Sequence, residues 1–137
     1  MNTRNVVINE RDFDRLSGLV HSPRLRTTHA SMVATLEREL GRGRVVPPTG
    51  VPRGVVTMNS KVRFRDLGTG ETETYTLVYP ADADVDEARL SVLAPLGAAL
   101  LGANVGDVVE CGTPGGVRKL KIERVPYQPE AAGDFHL

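Results

Sequence analysis

Apolar residues recur at helical spacing in the first 41 positions of this chain and at strand spacing after position 60. In ERDFDRLSGLV, Phe13, Leu16, Leu19 and Val20 fall on one side of a helix. Asn9 can accept amide hydrogen bonds at its start, and Glu10 and Asp12 suit the positive end of its dipole. The pattern predicts a helix over 10–20. Pro23 cannot continue the hydrogen-bond ladder and pushes Ser22 out of helical geometry, so HSPRLRTTH is expected to be a turn. Thr28 is the expected cap of a second helix, with Met32, Val33, Leu36 and Leu40 on one face and Gly41 placed to end it. Two short helices joined by a brief loop predict an antiparallel hairpin.

The run GRGRVVPPTGVPRG is dense in glycine and proline and reads as a linker. After it the period changes to two. KVRFRDL, ETETYTLVY, GDVVECG and VRKLKIERV alternate or run apolar with β-branched residues, and GTG and TPGG supply turns. These segments predict a small, mostly antiparallel sheet. Between the second and third lies LSVLAPLGAALLGANVGD, where Pro95 suits a first helical turn and Leu96, Leu100 and Leu101 follow. A short helix is expected over about 95–101, stopping at Gly102, with its leucines facing the sheet. The fold class is α+β. Residues 1–44 are expected to form the helical hairpin, 45–54 the linker and 55–137 the sheet domain.

Composition narrows the function classes. Seventeen lysines and arginines balance seventeen aspartates and glutamates over 137 residues, so any basic surface must be local. Aromatics make up 4% of the chain and tryptophan is absent, which disfavours stacking platforms for bases. No apolar run reaches the roughly 18 residues a membrane-spanning helix needs, and the N-terminus lacks the apolar stretch of a secretory signal. A soluble, cytoplasmic protein is expected. Cys111 is the single cysteine and sits in an apolar run, as a small core residue would.

Candidate chemistry is sparse. His21, His29 and His136 are scattered and make no metal-ligand spacing. DADVDE starts like a calcium loop, but the sixth position is Glu87 rather than glycine and the twelfth is Leu93, so a solvated acidic loop is expected. GTPGG lacks the lysine and hydroxyl of a phosphate-cradling loop and reads as a hairpin turn. No serine lies in a nucleophile elbow. One asymmetry stands out: from Gly41 to Arg65 the chain carries Arg42, Arg44, Arg53, Lys61, Arg63 and Arg65 without an acid. Two readings remain open for this run, a solvated face or a positive surface that steers an acidic partner.

The segments VVTMNSKVRFRDL, TYTLVYPADAD, LSVLAPLGAALLGANVGD, TPGG and YQPEAAGDF together resemble the Rnk family, bacterial regulators of nucleoside diphosphate kinase related to the Gre transcript-cleavage factors. The resemblance spans nearly the whole chain. It implies a twisted antiparallel sheet around a short helix, similar to the FKBP-like prolyl isomerases. It also implies docking on RNA polymerase at the rim of the channel through which nucleotides enter. In Gre factors a long helical hairpin enters that channel and presents acids that help hold a catalytic magnesium ion. Here the first helix would rise only about 16 Å, and its tip offers Arg24 and Arg26 where Gre factors carry acids. The resemblance therefore implies a non-enzymatic regulator without cofactor or metal, docking on polymerase through Ser91, Leu93, Pro95 and Leu96. Glu10, Asp12 and Asp14 sit at the other end of the first helix, where the helix dipole accounts for them. Direct binding to nucleoside diphosphate kinase is an alternative partner reading. Peptidyl-prolyl isomerase activity is another, disfavoured by the few aromatics available to line a proline pocket.

Overall fold

The computed structural model describes residues 6–137. The first helical period folds where its apolar stripe and cap direct it: α1 spans Glu10–Val20, and the Asn9 side chain accepts the amide hydrogen bond of Asp12 at 2.7 Å. The expected turn after it is instead a short helix, α2 (Pro23–Thr28). Proline here does not break a helix but starts one, because at the first position its missing N–H is not needed and its φ is already helical. Thr27 and Thr28 donate their hydroxyl hydrogens to the carbonyls of Pro23 and Arg24, at 3.0 and 2.9 Å, inside this helix. Thr28 is thus not the cap of the next helix. That helix, α3, runs Ala30–Gly41 behind His29. Leu16 and Val20 of α1 bury against Val33, Leu36 and Leu40 of α3 in the apolar core.

Two strands flank this helical unit. β1 (Val6–Asn9) pairs in parallel with β2 (Gly43–Val46), so the run read as a linker begins inside a sheet. Gly43 is required by contact: a Cβ there would lie 2.8 Å from Cδ1 of Ile8. Four-residue strands carry too little alternation to reveal themselves, and a parallel pair needs the crossover that α1, α2 and α3 supply between its two halves.

The sheet domain holds β3 (Lys61–Asp66), β4 (Thr72–Val78), β5 (Arg89–Ser91), β6 (Val108–Thr113) and β7 (Gly116–Tyr127), in the order β5-β4-β3-β7-β6. All pairings are antiparallel except that of β4 with β5, a strand absent from the sequence reading. TPGG closes the β6–β7 hairpin, with Thr113 opposite Gly116 at φ +123°. One face of the curled sheet carries Val62, Phe64, Leu77, Val109, Cys111, Leu120 and Ile122, all buried. Against it packs α4 (Pro95–Leu100). Leu100 and Leu101 are 0% and 1% exposed, as core residues should be.

The two units share one continuous core. Gly102, at φ +77°, lets the chain leave α4 directly beneath β1, where a Cβ would lie 2.3 Å from Cγ1 of Val6. The chain ends with α5 (Pro129–Ala132). Gly133 at φ +79° turns the backbone, and the Asp134 amide returns to the Pro129 carbonyl at 2.8 Å. This is the six-to-one bond of a glycine-terminated helix.

Candidate interaction site

The segment 91–97 leaves the edge of the sheet and enters α4 through a tight turn. The Ser91 Oγ accepts the Leu93 amide at 3.1 Å, and the Ser91 carbonyl accepts the Ala94 amide at 3.0 Å. Gly97 lies so close that a Cβ would stand 2.1 Å from the Ser91 carbonyl oxygen. The turn is thereby held from both sides. Pro95 is exposed at its apex, Ser91 and Leu96 are half-buried, and Leu96 rests on the core. Leu93 is 5% exposed and belongs to the core, which corrects its expected place among the partner-facing residues. The resemblance had named it with its neighbours as partner-facing, but the chain turns at Ser91 and points it in.

At the far end of α1, Arg24 and Arg26 are both exposed on α2. Arg26 is tied down on two sides: its Nε donates to the Val20 carbonyl at 2.9 Å and its guanidinium pairs with Glu37 of α3 at 3.0 Å. The tip is therefore one folded piece with α3 rather than an open loop.

A third cluster escaped the sequence reading. Asp12 is 2% exposed, and its Oδ2 accepts the Met58 amide and the Asn9 side-chain amide, each at 3.2 Å. The Tyr79 hydroxyl donates to the other oxygen at 3.4 Å. The Asn9 amide also donates to Glu130 at 2.5 Å, while Thr57 donates to the second Glu130 oxygen at 2.7 Å. Burial raises the pKa of Asp12 from its ordinary 3.8 to about 7, with the nearby Glu130 carboxylate adding to the rise. Burial likewise raises the Tyr79 hydroxyl, and the guanidinium of Arg15 lies 5.8 Å from the centre of the Tyr79 ring. Asp12 is thus more than a complement to the helix dipole. It fastens the helical unit to the sheet domain. The C-terminal QPEAAGD stretch completes the fastening: the Gln128 amide donates to the carbonyls of Pro52 and Val55, and Arg11 donates to the Phe135 carbonyl.

Among the described residues no group of three His, Cys, Asp or Glu side chains is placed to share a metal ion. No described helix is long and apolar enough to cross a membrane.

Comparison with known proteins follows the same division of the chain. Residues 51–127 match the family described as "Transcription elongation factor, GreA/GreB, C-term", and residues 4–46 match "Rnk N-terminus". The chain is 43% identical to the "Regulator of nucleoside diphosphate kinase" of Escherichia coli K12, covering all of both chains. It is 34% identical to the "Transcription elongation factor GreA" of Bacillus licheniformis over 68% of this chain and 59% of that one. Among solved structures, a "Prokaryotic transcription elongation factor GreA/GreB" from Nitrosomonas europaea covers 91% of this chain and all of its own, with 40% identity and a TM-score of 0.75. With its N-terminal helical unit clasped onto a GreA/GreB C-terminal domain, the chain belongs to the Rnk family of regulators of nucleoside diphosphate kinase.

Proposed function

We propose that the protein is a non-catalytic regulator that docks on RNA polymerase near the secondary channel and competes there with Gre factors without stimulating transcript cleavage. The reading rests on a Gre-type C-terminal domain whose attached arm is short and ends in arginines. The first helix has 11 residues, a rise of about 16 Å, and residues 21–29 at its tip include Arg24 and Arg26 but no carboxylate. A hard cation such as magnesium is held by oxygen ligands, and this tip has no acid to offer one. The docking surface is the apex of the 91–97 turn, with Pro95 presented outward and Ser91 and Leu96 half-exposed beside it. Residues 55–137 act as the anchoring domain and residues 1–44 as the arm, which places the protein's work in the cytoplasm alongside polymerase.

Purified protein retained on immobilised RNA polymerase, released by excess Gre factor, and lowering Gre-stimulated cleavage is the expected result. Pro95→Asp should abolish retention. No retention of the intact protein would end the proposal. The name carried by the Escherichia coli relative supports a second reading, direct binding to nucleoside diphosphate kinase. Capture of that enzyme from purified components, with polymerase not retained, would favour it.

A further inference from the structure

The sheet has two faces of opposite chemistry. Its inner face is the core, and its outer face gathers most of the chain's strand-borne cations. Cross-strand register sets them in rows. Arg89 lies opposite Thr76, Thr76 opposite Lys61, and Lys61 opposite Tyr127. One step along, Thr74 faces Arg63 and Arg63 faces Arg124. The next row places Arg65 between Thr72 and Lys121, and Lys119 follows opposite Glu110. All seven of these lysines and arginines are exposed.

Only one carboxylate on this face makes ion pairs. Glu123 meets Arg65 at 2.9 Å and Arg63 at 3.5 Å. Among the described residues, Lys61, Arg89, Lys119, Lys121 and Arg124 have no acidic partner within 4.0 Å. Strands spaced by about 4.8 Å make this a platform about 19 Å across. Seven cations against the carboxylates of Glu110 and Glu123 on these rows leave the surface positive in a chain with no net charge, and strand pairing assembles it from residues 61 to 124.

We infer that the outer face of the sheet binds the phosphodiester backbone of nucleic acid without reading its sequence. Charge complementarity selects a polyanion. The remaining surface chemistry selects phosphate over an acidic protein. A stable protein interface needs a desolvated apolar or aromatic centre. The exposed apolar side chains on this face include Val108 and Val117 toward the β6–β7 end and Leu137 beside Lys61 and Arg89; they sit apart from one another at its margins, and the rows between hold threonines. Tyr127 has its hydroxyl committed to Asp134 at 2.5 Å. Lysines, arginines and threonine hydroxyls are what phosphate oxygens accept hydrogen bonds from. The rows hold one aromatic ring, Tyr127, half-buried and tied to Asp134 at the margin, which is too little to stack successive bases, so duplex is favoured over single strand. The inference stands independently of docking through Pro95, which lies past the β5 edge.

The test is fluorescence anisotropy of the full chain with a labelled duplex of about 20 base pairs, between about 50 and about 200 mM salt. Binding should fall linearly with salt on logarithmic axes. The triple variant Lys61→Ala, Lys121→Ala, Arg124→Ala should reduce that slope by about 2 to 3 and weaken binding more than about tenfold at the lowest salt. Arg24→Ala with Arg26→Ala, on the other unit, should leave it unchanged. A second variant, Arg89→Ala with Lys119→Ala, should act in the same direction and guards against misfolding of the first. No binding at the lowest salt, or unchanged slopes in folded variants, overturns the inference. So does poly-glutamate competing as well as DNA at equal charge, which would assign the face to an acidic protein.

Discussion

The carboxylate of Asp12, in the first turn of α1, accepts the backbone N–H of Met58 at 3.2 Å, across 46 positions of sequence. Both groups are buried, so this bond ties the helical unit to the turn that precedes the sheet domain. Removing one partner leaves the other without a substitute. Asp12→Ala should therefore lower stability by about 1 to 3 kcal/mol, the cost of a buried unsatisfied amide. Urea unfolding near neutral pH measures it, and an unchanged midpoint would show that water replaces the carboxylate.

The same residue makes stability depend on pH with an unusual sign. Its folded pKa, about 7, lies above its unfolded value near 3.8. Between these values the native state holds the proton more tightly than the unfolded state does. The stabilisation is complete below pH about 4, declines as pH rises, and is gone above about 7, a total on the order of a few kcal/mol. Asp12→Asn keeps an acceptor for Met58 and cannot ionise. It should flatten this slope and exceed the parent in stability at pH 8, by an amount that shrinks towards pH 5. A variant with the parental slope would place the titrating group elsewhere.

Asn9 serves two partners at once, capping α1 and bridging Asp12 to Glu130. Loss of a cap alone costs about 1 kcal/mol. In a double-mutant cycle, Asn9→Ala and Glu130→Gln should be non-additive by about 0.5 kcal/mol or more, as expected within one hydrogen-bond network. Strict additivity would reduce Asn9 to an ordinary helix cap.

Gly97 should reverse the usual helix rule. Alanine normally improves a helix interior by about 1 kcal/mol relative to glycine. Here the added Cβ would stand 2.1 Å from the Ser91 carbonyl oxygen, which is backbone and held in a turn. Gly97→Ala should cost at least about 1 to 3 kcal/mol and, by displacing the 91–97 turn, weaken retention on polymerase. A stabilised variant would mean that the turn is free to shift.

The two tip arginines should separate experimentally. Arg26 is bonded to Val20 and Glu37, so Arg26→Ala should lower the stability measured by urea unfolding slightly, by less than about 1 kcal/mol as exposed pairs do. Arg24→Ala should leave stability unchanged. Any effect of Arg24→Ala on polymerase binding would then report contact rather than folding.

The sequence by itself determined the elements whose cause is local. α1 carries its own stripe and cap, α4 is bounded by a proline at its start and a glycine after its end, and the four long strands of the sheet carry alternating periods with glycine turns between them. Those signals lie within a few residues, so linear order is enough to read them. The tertiary structure decided whatever depends on partners distant in the chain. β1, β2 and β5 are too short to show a period and exist because another strand lies beside them. Leu93 turns inward because Ser91 folds the chain back, and α2 forms where Pro23 had suggested a turn. Asp12 looked like one acid in a helical first turn until the fold brought Met58, Tyr79 and Glu130 around it. The basic run from Arg42 to Arg65 divided in the same way. Its β3 residues, Lys61, Arg63 and Arg65, joined Arg89, Lys121 and Arg124 on one sheet face, because register places side by side charges that the chain separates by tens of residues.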